Sequence, residues 1–198
     1  MMKYIIPFLL LSLSSTAQTI PVNKQAVLSS VAKHEKELIG LSDEVWAHAE
    51  IAMKEHQSAK ALSEYAEKQG FKVTRNIAGI PTAFVAEYGS GKPIIGILGE
   101  FDALPGLSQK AQTTKEALKE GAAGQGCGHN MFGAASLGAA VSIKELIAAG
   151  KLKGTIRFYA HGKYAVKLID KDGLVYIIGS QDPIELDRVI KEMLKANK

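Results

Sequence analysis

The chain has 198 residues, of which 46% are hydrophobic and 22% are charged. These fractions are typical of a soluble globular protein, and they exclude a disordered chain, a collagen and a multi-span membrane protein. The single cysteine excludes an intramolecular disulfide framework and any zinc module built from four cysteines. The formal net charge is a mild +4, and the scattered basic residues lack the interleaved aromatics that are typical of nucleic-acid binding.

Residues 1–17 have the pattern of a secretory signal peptide. A short basic start at Lys3 precedes an apolar run over 4–13, and small residues lead to a cleavage position at about Ala17. That apolar run is too short for a membrane-spanning helix, which needs roughly 20 residues. We therefore expect an exported protein, periplasmic or secreted, whose single thiol, Cys127, is at risk of oxidation there unless something binds it.

Two helices are predicted at the start of the mature chain. The first covers 25–54, and Gly40 is a point at which it could bend or divide. The second covers 58–69, with Ser58 as its N-cap and Gly70 as its C-terminal stop. Charged neighbours predict that the histidines on both helices are solvated, namely His34, His48 and His56.

Further strands and helices are predicted between residue 71 and residue 159. The segments 82–88 and 93–98 are joined by Gly-Ser-Gly-Lys at 89–92, which favours a hairpin. The second of these segments is apolar without alternation, which is typical of a strand covered on both faces. This order of predicted helices and strands indicates an α/β fold in which helices pack on a mixed β-sheet. The other predicted strands are 71–74 and 154–159, and the other predicted helices are 108–120 and 131–149.

Residues 161–198 differ in character from the preceding chain. Apolar runs at 164–169 and 174–178 flank Asp-Lys-Asp-Gly at 170–173, a sequence that favours a hairpin turn. A terminal amphipathic helix is predicted to begin at Asp-Pro-Ile-Glu over 182–185, where an N-cap, a first-turn proline and a capping-box glutamate coincide.

A Cys-Gly-His sequence precedes the apolar helix and has the ingredients of a transition-metal site. Thiolate and imidazole are common zinc ligands, and Gly128 imposes no side-chain obstacle when Cys127 and His129 turn toward one ion. The same spacing also fits a buried structural cysteine beside an exposed histidine, so the motif alone leaves both interpretations open.

Asp102 follows the predicted strand 93–98 closely, at the position where α/β proteins place functional groups. Its carboxylate could bind a metal or orient a ligating histidine. The alternative is a turn-forming aspartate that ends the strand together with Pro105 and Gly106. Glu100 has the same two interpretations.

Three ordered motifs carry a family resemblance: Gly-Glu-Phe-Asp-Ala-Leu-Pro-Gly-Leu-Ser from residue 99, Gly-Cys-Gly-His-Asn from residue 126, and Gly-Thr-Ile-Arg-Phe-Tyr from residue 154. They resemble the family-twenty metallopeptidases, within them the amidohydrolase branch of the aminobenzoyl-glutamate hydrolases. The resemblance covers about 27–159. It implies a truncated metallopeptidase-like catalytic domain over 18–160, after the signal peptide, with a divergent hairpin and terminal helix over 161–198.

The resemblance also implies a chemistry. In that family a dinuclear zinc- or manganese-type centre hydrolyses amide bonds of N-acyl amino acids, peptides or aminobenzoyl-glutamate-type substrates, and a neighbouring glutamate is the general base. Carried over to this sequence, Cys127 and His129 match metal ligands, and Asp102 matches the acidic residue that supports the metal centre in catalysis. We therefore expect a metal-dependent hydrolase of linear amides that binds a divalent metal, zinc or manganese.

The sequence departs from that family pattern after Tyr159. The family continues into two adjacent glutamates, one the general base and the other a metal ligand, whereas here Ala160, His161, Gly162 and Lys163 follow. General acid–base catalysis typically contributes about 10²–10⁴-fold, so turnover is expected to be impaired. His161 could substitute for the missing ligand.

Three alternatives stay open at the level of the whole chain. The first is a non-catalytic exported module that binds a partner through its new tail. The second is a homo-oligomer or a second subunit that supplies the missing ligands. The third is a truncated or fused gene product, since the tail over 165–194 weakly resembles the end of bacterial pleckstrin-homology-like domains. No nucleic-acid partner and no membrane span after processing are expected.

Overall fold

A computed structural model describes residues 21–162 and the backbone of two strands at 165–169 and 175–179. The predicted signal peptide and the predicted terminal helix lie outside the described residues. In the described part, the helices are α1 (Val22–His48), α2 (His56–Lys68) and α3 (His129–Ala148). The strands are β1 (Lys72–Arg75), β2 (Phe84–Ser90), β3 (Ile94–Glu100), β4 (Gly154–His161), β5 (Ala165–Ile169) and β6 (Val175–Gly179).

The first four strands form a mixed sheet in the order β1-β2-β4-β3. Strands β1, β2 and β4 are antiparallel neighbours, whereas β3 runs parallel to β4. The fold class predicted from the sequence, helices packed on a mixed sheet, is confirmed. Strands β5 and β6 pair antiparallel as a separate ribbon, as the apolar runs in the tail predicted.

The predicted hairpin between β2 and β3 is wrong, because β4 lies between these two strands. The chain leaves β3, forms α3 and returns as β4, so β3, α3 and β4 make one crossover unit with parallel strands. Strand β4 is one of the two inner strands of the sheet, and its apolar side chains are buried. Ile156 and Phe158 have no exposed surface and Ala160 has 2%.

Strand β3 is also more exposed than its apolar sequence predicted. Ile94 is 38% exposed and Ile95 is 51% exposed. Among the described residues β3 pairs with β4 alone, so its other edge is uncovered. An apolar run therefore shows that a strand prefers burial, but it does not show that a neighbour is present to bury it.

Helix α1 is continuous through Gly40 and ends at His48, earlier than predicted. The helix ends because Ala49 has a left-handed backbone conformation. The chain then runs beside the segment that follows β3, where Ile51 and Ala103 form a β-bridge. The backbone N–H of Ala103 donates to the carbonyl oxygen of Glu50 at 2.7 Å. This link ties the segment between α1 and α2 to the carboxyl edge of the sheet.

Helix α2 begins two residues before the predicted N-cap. The Glu50 carboxylate accepts hydrogen bonds from the backbone N–H groups of Gln57 and Ser58, at 3.0 Å and 2.9 Å, and from the Ser58 hydroxyl. These contacts satisfy N–H groups of the first turn that have no partner within the helix. Ser58 is therefore inside the helix, and its hydroxyl is a donor to the capping carboxylate.

The predicted helix over 108–120 is absent, and this segment is an irregular loop. Its polar side chains bond the local backbone instead: the Gln109 amide donates to the Thr114 carbonyl at 2.8 Å, and Gln109 Oε1 accepts from the Glu116 N–H at 3.1 Å. Side chains that compete for backbone groups favour loops over helices, and this segment has no apolar stripe to offset that preference.

The core lies between the sheet and the three helices. Helix α3 is long and apolar enough to span a membrane by length and composition, but half of it is buried against the rest of the protein, as in the core helix of a globular fold. Its fully or nearly fully buried members include Ala134, Leu137, Ala140 and Val141, which face the sheet residues Phe84, Ile156 and Phe158 in one cluster.

Candidate metal centre

Three side chains that can ligate a metal meet at the carboxyl edge of the sheet. Glu100 is the last residue of β3, Asp102 follows it by two residues, and His129 is the first residue of α3. A strand that ends at this edge and a helix that begins above it place their terminal residues in one crevice. Residues far apart in sequence therefore come together through the crossover from β3 to α3.

The imidazole of His129 lies between the two carboxylates. Its Nδ1 is 2.7 Å from Oδ1 of Asp102, and its Nε2 is 3.0 Å from Oε2 of Glu100. His129 is 5% exposed and Asp102 is 1% exposed, whereas Glu100 is partly buried. One potential ligand atom from each residue lies within 4.8 Å of the others.

The close approach of His129 and Glu100 requires a proton or a cation between them. If Nδ1 donates its proton to Asp102, the Nε2 lone pair faces a carboxylate oxygen of Glu100 at 3.0 Å. Two acceptors at that distance repel each other unless a proton or a cation lies between them. The arrangement can therefore hold a metal ion between Nε2 and the carboxylate.

The loop before α3 is shaped so that His129 reaches the crevice. Gly128 has a left-handed backbone with φ of 76°, a conformation that favours glycine, and it directly precedes the helix. The side chain of Gln125 accepts from the Asn130 N–H at 3.1 Å, and the Asn130 amide donates to the Ser42 hydroxyl at 3.0 Å. These bonds fix the first turn of α3 against α1.

Of the three predicted site residues, Asp102 and His129 are brought into contact, whereas Cys127 is not part of the cluster. Cys127 is exposed to solvent, and the described ligand group consists of Glu100, Asp102 and His129. Metal ligation by Cys127 stays a prediction. Asp102 is buried rather than a turn residue at the surface, which favours the functional interpretation of its position.

Sequence reasoning missed Glu55, which directly precedes α2. Its side chain has no exposed surface, and neither carboxylate oxygen has a hydrogen-bond partner among the described residues. Burial, together with the negative charge of Asp102, raises the pKa of Glu55 to about 7. A glutamate in the irregular segment between two helices carries no periodic signal that would have predicted its burial.

His34 also differs from its predicted environment. It is 7% exposed, and its Nε2 lies 3.1 Å from Oε1 of Glu145 on α3. The prediction of a solvated histidine is therefore wrong here, because the contact partner is remote in sequence. His56 is exposed, as predicted, and His48 is partly buried.

No model of a known protein family matches the chain. Characterised proteins do match it. The chain is 44% identical over 120 residues to one of the subunits of p-aminobenzoyl-glutamate hydrolase from Escherichia coli, covering 60% of this chain and 25% of that protein. It is 26% identical over 141 residues to an Xaa-Arg dipeptidase of Mus musculus, covering 66% of this chain and 29% of that protein.

Solved structures show the same fold. A candidate aminohydrolase from methicillin-resistant Staphylococcus aureus matches with a TM-score of 0.59 and 22% identity, covering 72% of this chain and 36% of that one. The Bacillus subtilis YXEP protein, described as a dinuclear metal-binding peptidase of the M20 family, matches with a TM-score of 0.55 and 24% identity, covering 65% and 35%. The chain thus spans about a quarter to a third of the length of these proteins.

The described residues therefore form part of the fold that the aminohydrolase and the M20 peptidase share. Over its 120-residue aligned segment, the chain is a homologue of the Escherichia coli p-aminobenzoyl-glutamate hydrolase subunit. This homology confirms the resemblance predicted from the three motifs.

Proposed function

We propose that this protein binds a divalent metal ion, zinc or manganese, and acts as a hydrolase of linear amides of the N-acyl amino acid or aminobenzoyl-glutamate type. The observation that carries the proposal is the buried His129 imidazole held between Glu100 and Asp102 at the carboxyl edge of the sheet. The identity to the Escherichia coli hydrolase subunit supports the substrate class.

The residues present fit such an ion. Imidazole nitrogen and carboxylate oxygen are ligands that zinc and manganese accept. Oδ2 of Asp102 is buried without a hydrogen-bond partner among the described residues, so the crevice offers an acceptor that no protein donor occupies. Glu100, Asp102 and His129 would hold the ion, and we propose Cys127 as a further ligand.

Each side chain has a distinct part in this site. Oδ1 of Asp102 accepts a hydrogen bond from the Nδ1–H group of His129 and so fixes the imidazole with Nε2 toward Glu100. Glu100 supplies negative charge on the far side of Nε2. A metal bound here would polarise the amide carbonyl and lower the pKa of a bound water.

We propose that turnover is impaired. No two adjacent glutamates follow Tyr159, so the chain lacks the residues that serve as general base and ligand in the family it resembles. Loss of a general base typically lowers the rate by about 10²–10⁴-fold. The expected activity is therefore slow hydrolysis, far below that of a full-length relative.

The test is hydrolysis of p-aminobenzoyl-glutamate by the purified chain in the presence of Mn²⁺ or Zn²⁺. We expect slow release of p-aminobenzoate that is abolished in His129→Ala and unchanged in His56→Ala, because His56 is exposed and outside the site. Release at the uncatalysed rate in every sample would exclude hydrolysis of this substrate by the chain alone.

A second candidate is a non-catalytic exported module or one member of a larger assembly. The uncovered apolar edge of β3, with Ile94 and Ile95, favours it, and the Escherichia coli relative is itself one subunit of a hydrolase. Gel filtration of the chain with and without a candidate partner tests the assembly. N-terminal sequencing of the protein recovered from its native cells tests the proposed export, which predicts a start at about residue 18.

A further inference from the structure

An apolar groove of about 440 Å³ runs along the contact between α1 and α3. Three of its large apolar side chains are exposed: Val31 by 42%, Ile39 by 55% and Met131 by 62%. Ala134 and Ala135 of α3 line the groove between them. A contiguous apolar concavity on a protein surface marks an interaction site. The groove is open in the described part of the chain, so its occupant must come from outside that part.

The terminal helix predicted from the sequence has an apolar face that needs such a surface. Its apolar residues are Ile184, Leu186, Val189, Ile190, Met193 and Leu194. Helices of about 12–15 residues are marginal on their own in water, and most of their stability comes from packing an apolar face. The predicted helix over 183–196 would be about 20 Å long. The part of α1 that lines the groove, over 31–43, is about 18 Å long, so the two lengths match.

The tail starts near one end of this groove. Ala165 follows Gly162 by three residues, and it pairs with Gly179 at the end of β6. Chain reach and strand spacing therefore place Gly179 within roughly 15 Å of the end of β4. Strand β4 ends at the carboxyl edge of the sheet, where α3 begins with Met131 in its first turn. The residues after Gly179 thus start at the edge of the sheet where Met131 forms one end of the groove.

The charges favour one direction of the helix in the groove. Glu35 and Asp43 are the charged residues that line it, and both are exposed. The last eleven residues, 188–198, carry four basic side chains and one acidic side chain. A helix that enters at the Met131 end would bring this basic half beside Glu35. Its N-terminus would lie near Asp43, where the unpaired N–H groups of a helix favour negative charge.

We propose that the terminal helix, 182–196, docks in the groove between α1 and α3 of its own chain. Its apolar face would cover Ile39 and Met131, which are exposed in the described part of the chain. The divergent tail would then have a structural role, because it shields an apolar surface that α1 and α3 leave open. This inference does not depend on the proposed function, since neither the groove nor the helix contains a candidate metal ligand.

The experiment compares the oxidation rates of two methionines in the full chain. Dilute hydrogen peroxide converts exposed methionine to its sulfoxide, and mass spectrometry of peptides gives the initial rate at each position. Met53 is the internal reference, since it is 39% exposed between α1 and α2 and lies outside the groove. With the helix docked, we expect Met131 to react more slowly than Met53, although its exposed fraction is larger. Leu186→Asn and Ile190→Asn should each reverse that order.

Glu192→Gln is the control, because Glu192 lies outside the apolar face of the helix, and Met131 should stay slow in it. Faster oxidation of Met131 than of Met53 in the unaltered chain would overturn the proposal. Slow oxidation of Met131 that persists in both tail variants would overturn it too, as would protection that disappears on dilution, which would assign the groove to a second copy. Circular dichroism shows that each variant is folded, and two variants on one helix face guard against a defect in either.

Discussion

Asp102 has two oxygens in different environments. Oδ1 accepts a hydrogen bond from the Nδ1–H group of His129 at 2.7 Å, whereas Oδ2 is buried without a hydrogen-bond partner among the described residues. Asp102→Asn keeps the shape of the side chain but removes its charge. Loss of the carboxylate that orients a ligating histidine typically costs 10–100-fold in metal affinity, and we expect a loss of about this size, measured by Mn²⁺ titration calorimetry. An unchanged affinity would contradict the assigned role.

Glu55 predicts an unusual pH dependence for the metal-free protein. Burial raises its pKa from 4.5 to about 7, so the folded state binds the proton more tightly than the unfolded state does. Glu55 therefore contributes fully to the free energy of unfolding below its unfolded-state pKa. This contribution is lost as the pH rises through the folded-state pKa, a change on the order of 3 kcal/mol.

Glu55→Gln removes this titration while keeping the shape of the side chain. With chelator present, we expect the variant to be more stable than the unaltered protein at about pH 8 and similar to it at about pH 4. Urea denaturation at several pH values measures the difference. The same stability profile in both proteins would show that the Glu55 carboxylate is not buried in the metal-free chain.

Glu145 predicts the opposite pH dependence. Burial alone would raise its pKa, but hydrogen bonds from Lys33 at 2.8 Å and from His34 lower it to about 2. The Glu145 carboxylate therefore contributes to the free energy of unfolding above its unfolded-state pKa of about 4.5. This contribution is lost as the pH falls through about 2.

Glu145→Gln should therefore destabilise the protein near neutral pH by about 1–2 kcal/mol, allowing for screening of its partly exposed side chain. The difference should shrink as the pH falls below about 4.5 and vanish only below about pH 2. Urea denaturation measures it, with Glu64→Gln as the control, because Glu64 is exposed and its nearest cation, Lys60, is 3.9 Å away. A difference that persists in acid would assign the effect to packing rather than to charge.

At the scale of single elements, the contact between α3 and β3 sets the position of the candidate site. A Cβ at Gly133 would lie 2.8 Å from the carbonyl oxygen of Glu100 and 3.2 Å from the Cβ of Phe101. The helix therefore lies directly on the end of the strand that carries Glu100. The small residues in α3 permit this approach, which brings His129 within reach of both carboxylates.

Gly133→Ala should push α3 away from β3. We expect a loss of stability of about 1–3 kcal/mol and weaker Mn²⁺ binding, since His129 moves with the helix. Gly40→Ala is the control: nothing lies within 4 Å of a Cβ there, and alanine in the middle of α1 should stabilise the protein by about 0.5–1 kcal/mol. Equal effects of both substitutions would argue against the close contact.

Local sequence patterns were sufficient to predict some of the helices and turns but not others. Helix α2 and the stop at Gly70 were predicted, because a left-handed glycine after an amphipathic run is a signal contained in neighbouring residues. The helix expected over 108–120 was wrong, because polar residues with helical propensity form a stable helix only when an apolar face packs. The hairpin expected at 89–92 was wrong, since a turn sequence does not exclude a third strand between its neighbours.

At the scale of the whole molecule, the uncovered edge of β3 is the most exposed apolar feature of the described sheet. Ile94 and Ile95 are exposed, and β3 has no second neighbour among the described residues. An edge with free backbone groups and apolar side chains favours pairing with another chain.

Ile95→Lys should reduce self-association, because a charged side chain on an edge strand opposes pairing. We expect the unaltered chain to grow in apparent size with concentration in light scattering, and the variant to do so less. Leu118→Lys is the control, since Leu118 is 63% exposed in the loop after β3 and lies outside the sheet. Similar behaviour of both variants would assign association to general apolar exposure instead.

Part of the candidate site could be predicted from the sequence and part could not. Asp102 and His129 stand in short motifs that carry the resemblance to the aminobenzoyl-glutamate hydrolases. Glu55 stands in no such motif, and its importance comes from being buried without a partner, which only the packing of α2 against the sheet produces. Glu100 was ambiguous until its distance to His129 was known.

The sequence by itself determined the class of fold, the order of most helices and strands, and the resemblance to an amidohydrolase, because periodicity, capping residues and motifs are properties of neighbouring residues. Only the tertiary structure decided that β4 lies between β2 and β3, that His129 contacts Glu100 and Asp102, and that Glu55 is buried beside Gly162. These facts depend on contacts between segments far apart in the chain, and such contacts arise from the packing of the whole core rather than from any local pattern.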